Sequence, residues 1–159
     1  MSSQWKQKLE EKYEFMNKEK LAKQEMSPYT QWGIETQVGW KDIIETMCQR
    51  ISDTLVKYKL PQDTFVPLQI KEKYASLRVY WKLKNENFSP PIDFIGGETL
   101  DFNDYSSELK KDLWVIVNEA CEQSKTTCEM CGKAGEQRTD LRWVTTLCDK
   151  HYQERINYS

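Results

Sequence analysis

The apolar positions near the start of the chain repeat at helical spacing. Between residues 3 and 25 they form a narrow stripe among many Lys and Glu residues. Its members are Trp5, Leu9, Tyr13, Met16 and Leu21. The pattern predicts an amphipathic helix that ends at Ser27-Pro28, since the residue before a proline disfavours helical geometry. Two arrangements suit such a stripe: the helix packs on its own domain, or it forms an arm that pairs with a second subunit.

A wider apolar face follows a loop that contains Gly33 and Gly39. Its positions also repeat at helical spacing: Trp40, Ile43, Ile44, Met47, Ile51, Leu55 and Tyr58. The breadth of this face indicates a helix buried against several neighbours, with Pro61 as its stop signal. We therefore expect this segment to be the central helix of the core.

From Phe65 the spacing of apolar residues changes from helical to alternating, which is typical of strands. In the first strand Val66, Leu68 and Ile70 are predicted to share one face. The opposite face carries Phe65, Gln69, Lys71 and Lys73. A second alternation sets Leu77, Val79, Trp81 and Leu83 against Arg78, Tyr80, Lys82 and Lys84. The two strands predict a β-hairpin with its turn at Tyr74 to Ser76.

Residues 85 to 108 contain six acidic residues and no Lys or Arg. Pro90-Pro91 and Gly96-Gly97 interrupt the segment, so it predicts a loop with one short strand near residues 92 to 95. The loop could fold over a basic surface, or its acids Asp93, Glu98, Asp101 and Asp104 could bind a hard cation, although their spacing matches no known cation loop. A third helix is predicted from Leu109 to Cys121, capped near Asp104 or Ser106.

The C-terminal quarter contains two closely spaced pairs of metal-ligand residues. Cys128 and Cys131 form a Cys-x-x-Cys pair followed by Gly132, and Cys148 and His151 form a Cys-x-x-His pair. Four such ligands match tetrahedral Zn²⁺, and a complete set of four indicates a structural rather than a catalytic ion. A redox Cys-x-x-Cys is the competing interpretation, but it leaves the second pair unexplained.

The order of elements around these ligands predicts the fold of the segment. A knuckle at Cys128 precedes a hairpin of residues 137–139 and 142–146, and a helix from Asp149 carries His151 in its first turn. This order describes a treble-clef-like zinc finger. The sequence thus predicts an α+β fold, in which helices pack on a small antiparallel sheet and a C-terminal finger is attached. Its parts are an N-terminal helix (1–27), an α+β core (28–125) and a zinc-finger module (126–159).

Composition narrows the class of protein. The formal net charge is −2, and the segment from Cys128 to Ser159 is balanced in charge, which weighs against nucleic-acid binding. His151 is the only histidine, so its use as a metal ligand leaves no free imidazole for acid–base catalysis. Cys48 and Cys121 fall in helical apolar patterns and are expected to be buried thiols. The absence of a long apolar run and the cysteine usage favour a cytoplasmic protein with no membrane span.

Local charge is more informative than total charge. Residues 65 to 84 hold five basic residues and the single acid Glu72. The predicted hairpin register places most of the basic residues on one face with an aromatic ring and an amide: Gln69, Lys71, Lys73, Arg78, Tyr80 and Lys82. We call these six residues the hairpin face. Such donors suit a phosphate or a nucleotide. The alternative is a solvated outer face whose lysines discourage edge-to-edge aggregation.

Three blocks of sequence resemble a family of small proteins from tailed phages and prophages. They are Gly39-Trp40 leading into the helix with Cys48, QIKEKYASLRVYW from Gln69 to Trp81, and CEMCGKAGE through LCDKH from Cys128 to His151. In the middle block, Lys-Glu-Lys and an aromatic residue precede Leu-Arg. This chain has Ala75 and Ser76 where the family typically has two glycines, which bears on the turn and not on the charges.

The resemblance implies a phage protein in the host-cell cytoplasm, with a compact zinc-containing α+β fold. Small phage proteins of this kind commonly act on host defence or host machinery, and some families sequester nucleotide signals. We therefore expect a non-enzymatic, homo-oligomeric protein that binds a phosphate-bearing nucleotide on the hairpin face. The alternatives are a zinc-finger protein associated with nucleic acid and an adaptor that inhibits a host protein. An enzyme is the class with least support.

Overall fold

The structure, a computed structural model, describes residues 4–86 and 105–157. It has a mixed α+β fold, and its described part contains six α-helices: α1 (Gln4–Lys12), α2 (Lys18–Ala22), α3 (Pro28–Trp32), α4 (Lys41–Lys57), α5 (Ser107–Ser124) and α6 (Asp149–Asn157). The strands are β1 (Ile34–Glu35), β2 (Phe65–Lys73), β3 (Ser76–Leu83), β4 (Glu136–Arg138) and β5 (Thr145–Leu147). The strand predicted near residues 92 to 95, and the acids Asp93, Glu98, Asp101 and Asp104, lie outside the described residues.

Helix α4 lies at the centre of the core, as the sequence predicts, and α5 packs against it. Every buried residue of α4 falls on the expected face: Ile43, Ile44, Met47, Cys48, Ile51 and Leu55. Ser106 caps α5 by accepting a hydrogen bond from the backbone N–H of Leu109, which satisfies one of the free amides of the first turn. In the part of the chain that is described, no helix has the length and apolar run that crossing a bilayer requires.

The N-terminal segment buries its predicted apolar stripe on its own chain, but it is not one continuous helix. All five stripe residues are at most 7% exposed. Tyr13 and Asn17 both have extended backbone, and a short 3-10 turn, Glu14–Met16, separates α1 from α2. The breaks carry Phe15 against the ring of Phe65 and let Asn17 cap α2. Tertiary packing of Phe15 thus overrides the helical periodicity that the sequence shows.

Ser27-Pro28 begins a helix as well as ending the preceding segment. The Ser27 hydroxyl accepts from the backbone N–H of Thr30, and the Thr30 hydroxyl accepts from that of Ser27, so the two form a capping box. Pro28 occupies the first helical position, where a missing N–H costs nothing. The loop predicted before the central helix therefore contains the short helix α3 and strand β1.

The main sheet has the order β1-β2-β3, and the hairpin is its antiparallel part. Strand β1 adds to β2 in parallel, with Ile34 opposite Ile70 and Glu35 opposite Lys71. The prediction of a purely antiparallel sheet is wrong at this edge, since two residues are too few to show alternation. On the other edge, α5 covers β3, and the buried Ser124 hydroxyl accepts a hydrogen bond from the Leu77 backbone N–H.

A β-bulge in β2 changes which side chains face the core. Pro67 lies opposite Trp81 and Gln69 lies opposite Tyr80, so Leu68 is the additional residue. Phe65 and Ile70 consequently both face the core, at 1% and 0% exposure. The prediction that Phe65 lies opposite to Ile70 is therefore wrong, because one extra residue reverses the alternation before it.

The hairpin turn consists of two residues in left-handed backbone geometry. Tyr74 has φ of 51° and Ala75 has φ of 66°, as in the tight turns whose twist matches that of the flanking strands. Such turns favour Asn or Gly, because a Cβ is strained at positive φ. The Tyr74 side chain is 72% exposed, whereas Ala75 is fully buried. Residues 74–75 thus form a strained turn with an open first position and a buried second one.

Replacing Tyr74 with Asn is expected to stabilise the protein, since Asn tolerates left-handed geometry better than an aromatic residue does. We expect a gain of about 0.5–1 kcal/mol in the free energy of unfolding, measured by urea denaturation. Tyr74→Phe is the matched control because it retains the ring and the backbone preference. A Tyr74→Asn protein no more stable than the Tyr74→Phe protein would contradict the strain at this turn.

Candidate metal centre

The first ligand pair lies on a tight knuckle that follows α5. The carbonyl of Cys128 accepts from the backbone N–H of Gly132 at 2.9 Å, and the N–H of Cys128 donates to the Lys133 carbonyl at 2.7 Å. Gly132 has φ of 84°, which glycine adopts without Cβ strain. These bonds bend the chain so that both sulfurs project to the same side, with Cys128 buried and Cys131 exposed.

The second ligand pair is delivered by β5 and the first turn of α6. Cys148 follows β5, and its carbonyl accepts from the backbone N–H of Tyr152 at 2.9 Å. Arg138 of β4 fixes this helix, because it donates to the Leu147 carbonyl at 3.2 Å and to Asp149 at 2.8 Å. Its guanidinium also lies 4.3 Å from the centre of the Tyr152 ring. One arginine therefore joins β4, β5 and the helix that presents His151.

The four predicted ligands converge on one point. Their ligand atoms all lie within 4.8 Å of one another, close enough to bind a single metal ion. The Cys131 and Cys148 sulfurs are 3.8 Å apart, and His151 Nδ1 is 3.2 Å from the Cys148 sulfur and 3.6 Å from that of Cys128. Sulfurs about 2.3 Å from the centre of a tetrahedron are separated by nearly the same distance. The donor set thus fits tetrahedral coordination.

The local field already favours deprotonation of one ligand. The backbone N–H of His151 lowers the pKa of the Cys148 thiol to about 6, because it donates to the sulfur. Partial desolvation raises the pKa of Cys131, and the neighbouring Cys128 and Cys148 sulfurs add to this rise. Several thiolates at such distances repel one another unless a cation lies between them. The cluster is therefore arranged for a bound cation.

The knuckle contacts the core through an approach that only glycine permits. The backbone N–H of Gly39 donates to the Glu129 carbonyl at 2.6 Å. A Cβ added at Gly39 would lie 2.2 Å from the carbonyl oxygen of Cys128 and 2.3 Å from that of Glu129. The next residue, Trp40, is fully buried and its indole donates to the Thr127 carbonyl at 2.8 Å. Gly39-Trp40 thus anchors the start of the metal-binding module to the N-terminus of α4.

A second anchor joins the module to the hairpin turn. The Ala75 carbonyl accepts from the Thr146 hydroxyl at 2.6 Å and from the Gln137 side chain at 3.4 Å. On the opposite side of the turn, the Ala75 N–H donates to the Glu72 carboxylate at 2.8 Å. The strained turn is therefore held in place by β4 and β5, which also position the second ligand pair.

The structure brings most of the hairpin face together. Gln69 lies directly opposite Tyr80, and Lys71 lies opposite Arg78. The other two members lie at the ends of the face. Lys73 precedes the turn, with its ammonium over the Tyr74 ring, and Lys82 forms an ion pair with Glu25. Two adjacent cross-strand pairs therefore make the centre of this surface.

The surroundings of the hairpin face differ between its two sides. Glu35 of β1 is the neighbour of Lys71 across the sheet, which lowers the positive charge on that side. On the β3 side, a groove of about 330 Å³ runs between β3 and α5. Arg78, Tyr80 and Trp81 line it from β3, and Trp114 and Lys125 line it from α5. Cationic and aromatic side chains thus occur together along this groove.

Sequence patterns did not indicate several residues that the structure places beside the knuckle and the hairpin. Glu129 is a charged residue at 8% exposure, and nothing in its neighbourhood of the sequence marks it as buried. Trp143 lies in the segment 142–146 of the predicted finger hairpin, where nothing in the sequence marks it as a site residue.

No family model, curated protein or solved structure matches the chain.

Replacing Gly39 with Ala is expected to separate the knuckle from the core, because the new Cβ would overlap two backbone carbonyls. We expect a loss of roughly 2–3 kcal/mol in the free energy of unfolding, measured by chemical denaturation. Gly33→Ala serves as a reference for backbone strain alone: its Cβ would meet only the flexible Lys18 side chain, at 3.3 Å from Nζ, while φ of 67° strains the backbone. A Gly39→Ala protein as stable as the wild type would contradict the close approach at Gly39.

Proposed function

We propose that the four-residue cluster binds a structural zinc ion and that the module of residues 126–159 is a treble-clef-like finger. The order of knuckle, β4–β5 hairpin and α6 supports this assignment. Three sulfurs and one imidazole nitrogen suit Zn²⁺ better than harder cations, and four protein ligands leave no open position for a substrate. The metal would hold together the two ends of a module whose own apolar core is small.

Metal analysis of freshly purified protein tests this proposal. We expect about one zinc per chain, and Cys131→Ser should lower both the zinc content and the melting temperature of the protein. Cys121→Ala is the control, since Cys121 lies on α5 and outside the cluster. Less than about half a zinc per chain, or equal zinc content in Cys131→Ser and wild-type protein, would contradict the four-ligand site.

We further propose that the protein is a non-enzymatic binder of a phosphate-bearing nucleotide. The observation that carries this proposal is the register of the hairpin, in which Lys71 lies opposite Arg78 and Gln69 lies opposite Tyr80. A guanidinium, an ammonium and an amide thereby become neighbours on one rigid surface. Arginine offers paired N–H donors that match phosphate oxygens, and lysine adds a point charge.

The adjacent groove supplies a surface for the rest of a nucleotide. Tyr80, Trp81 and Trp114 line the groove beside Arg78, and aromatic rings bind bases by stacking. The Trp81 ring is itself stacked on Phe65, with ring centres 5.3 Å apart, so its position is fixed by the core. A phosphate on Lys71 and Arg78 and a base at the groove would use both surfaces at once.

A binding role agrees with the chemistry of the site. The only histidine is turned into the metal cluster, with Nδ1 near two sulfurs. Sequestration needs donors and a stacking surface but no catalytic base. The resemblance to small phage proteins supplies the biological setting: we propose that binding removes a nucleotide signal of the host and so counteracts its defence.

Isothermal titration calorimetry against mono-, di- and cyclic nucleotides tests the nucleotide proposal. For any nucleotide that binds, we expect Arg78→Ala to weaken the affinity at least about tenfold, as loss of one charge-assisted contact predicts. We expect Glu35→Gln to strengthen it, because this change removes a negative charge next to Lys71.

Arg142→Ala is the matched control for this experiment, since Arg142 is an exposed arginine in the loop between β4 and β5. It should bind like the wild-type protein. No binding across the panel, or an Arg78→Ala affinity equal to that of the wild type, would overturn the proposal.

A further inference from the structure

A second groove lies where the metal-binding module meets the core, away from the β3–α5 groove. Its volume is about 360 Å³, and residues from α1, β1, β2, the knuckle, β5 and α6 line it. Because the knuckle and the core each supply part of its wall, the groove exists only when the module is docked. The carboxylates of Glu35, Glu72 and Glu129 face it, together with Trp143.

Glu129 gives this groove a buried negative charge. The residue is 8% exposed, and burial raises the pKa of its carboxyl. Its hydrogen bonds come from neutral donors, the Gln37 backbone N–H at 3.1 Å and the Thr145 hydroxyl at 3.2 Å. Among the described residues, no Lys or Arg nitrogen lies within ion-pair distance of it. The charge of Arg155 opposes this rise in pKa, and Lys6 feels the charge of Glu129, but neither forms an ion pair with it. Buried carboxylates ordinarily have a paired cation, so a further cation at ion-pair distance would stabilise this one.

Trp143 provides the aromatic wall of the groove. Its side chain is 71% exposed, an unusual state for the largest apolar side chain. The indole N–H donates to the Glu72 carboxylate at 3.5 Å, which orients the ring beside the acidic groups. A ring face next to carboxylates favours a cation twice, through the ring quadrupole and through direct charge attraction.

Lys6 and Arg155 also line the groove, and their positive charges affect which charge a ligand can carry there. Lys6 feels the charges of Glu35 and Glu129, and its pKa is nevertheless lowered because burial disfavours the ammonium. Three carboxylates against these two cations leave the groove with a formal charge of −1. A cationic ligand is therefore favoured, and Lys6 opposes it.

A metal ion is a poor match for this groove. Within the described residues, the one group of side chains close enough to share a metal ion is Cys128, Cys131, Cys148 and His151. The three groove carboxylates are spread around an open space instead. A planar cation with several N–H donors, which can also pack on an indole, fits better.

We infer that this groove binds an arginine side chain of a partner protein. Its guanidinium would stack on Trp143 and donate to Glu72 and Glu129. Arginine and tryptophan are among the residues that most often dominate protein interfaces. A partner bound here would bury the Trp143 ring, which is 71% exposed. The site requires the docked metal-binding module and shares Glu35 with the surroundings of the hairpin face, but the inference does not rest on nucleotide binding.

Titration with N-acetyl-arginine methylamide, followed by NMR of the Trp143 indole N–H, tests this inference. We expect a saturable shift of that signal and a much smaller response to the citrulline analogue, which has the same shape but no charge. Trp143→Phe assigns the signal. No saturable shift, or an equal response to the two compounds, would overturn the inference.

Variants that change the charge of the groove test whether its ligand is a cation. We expect Glu129→Gln to weaken binding of the arginine compound about tenfold and Lys6→Gln to strengthen it. Replacement of the buried Glu129 could unfold the module, so Glu72→Gln and Trp143→Ala provide variants at less buried positions. Their binding is measured by calorimetry and by the NMR signals of the remaining tryptophans. Each should weaken binding.

Trp32→Ala is the matched control, since Trp32 is 69% exposed and does not line the groove. Its affinity for the arginine compound should equal that of the wild type. An equal loss of affinity in Trp32→Ala and Trp143→Ala, or a weaker affinity in Lys6→Gln, would contradict arginine binding in this groove. Neither result would bear on the Arg78→Ala test of the hairpin face, because Arg78 does not line this groove.

Discussion

The contact between Gly39 and the knuckle is the constraint on which the rest of the architecture depends. Two stretches of backbone, before α4 and after α5, come so close that no side chain fits between them. The Gly39–Glu129 hydrogen bond and the Trp40–Thr127 hydrogen bond lie side by side at this contact. They fix the metal-binding module to the start of the central helix, and the hydrogen bond from Thr146 to the Ala75 carbonyl holds it to the hairpin turn.

The parts of the fold that the sequence predicts well are those with long, regular patterns. Helices α4 and α5 and strand β3 have enough residues for the period to be unmistakable, and their buried apolar residues fall on the predicted faces. The four candidate metal ligands can also be recognised from the sequence, because Cys and His are chemically distinct and the members of each pair are close together in the chain. Only the folding of the second pair back onto the first depends on long-range structure, and Arg138 supports it through Leu147, Asp149 and Tyr152.

The features that sequence did not reveal share a different physical basis. The bulge at Leu68 shifts the faces of β2 by one residue, and no local pattern reports a shift that is set by cross-strand pairing. Strand β1 is too short to alternate. The breaks in the N-terminal segment serve the packing of Phe15 on Phe65, which are 50 residues apart. Glu129 looks like a surface residue until tertiary structure buries it.

The anchoring of the turn links the metal site to the proposed ligand surface. Thr146, which holds the Ala75 carbonyl, lies two residues before the ligand Cys148. A metal ion on the four ligands would therefore stabilise β5, which holds a turn of unfavourable backbone geometry. That turn joins the two strands whose register pairs Lys71 with Arg78. Because coupling between two binding equilibria is reciprocal, a ligand on the hairpin face would also strengthen metal binding. The metal ion would then serve the function by ordering the binding surface, without taking part in any contact to the ligand.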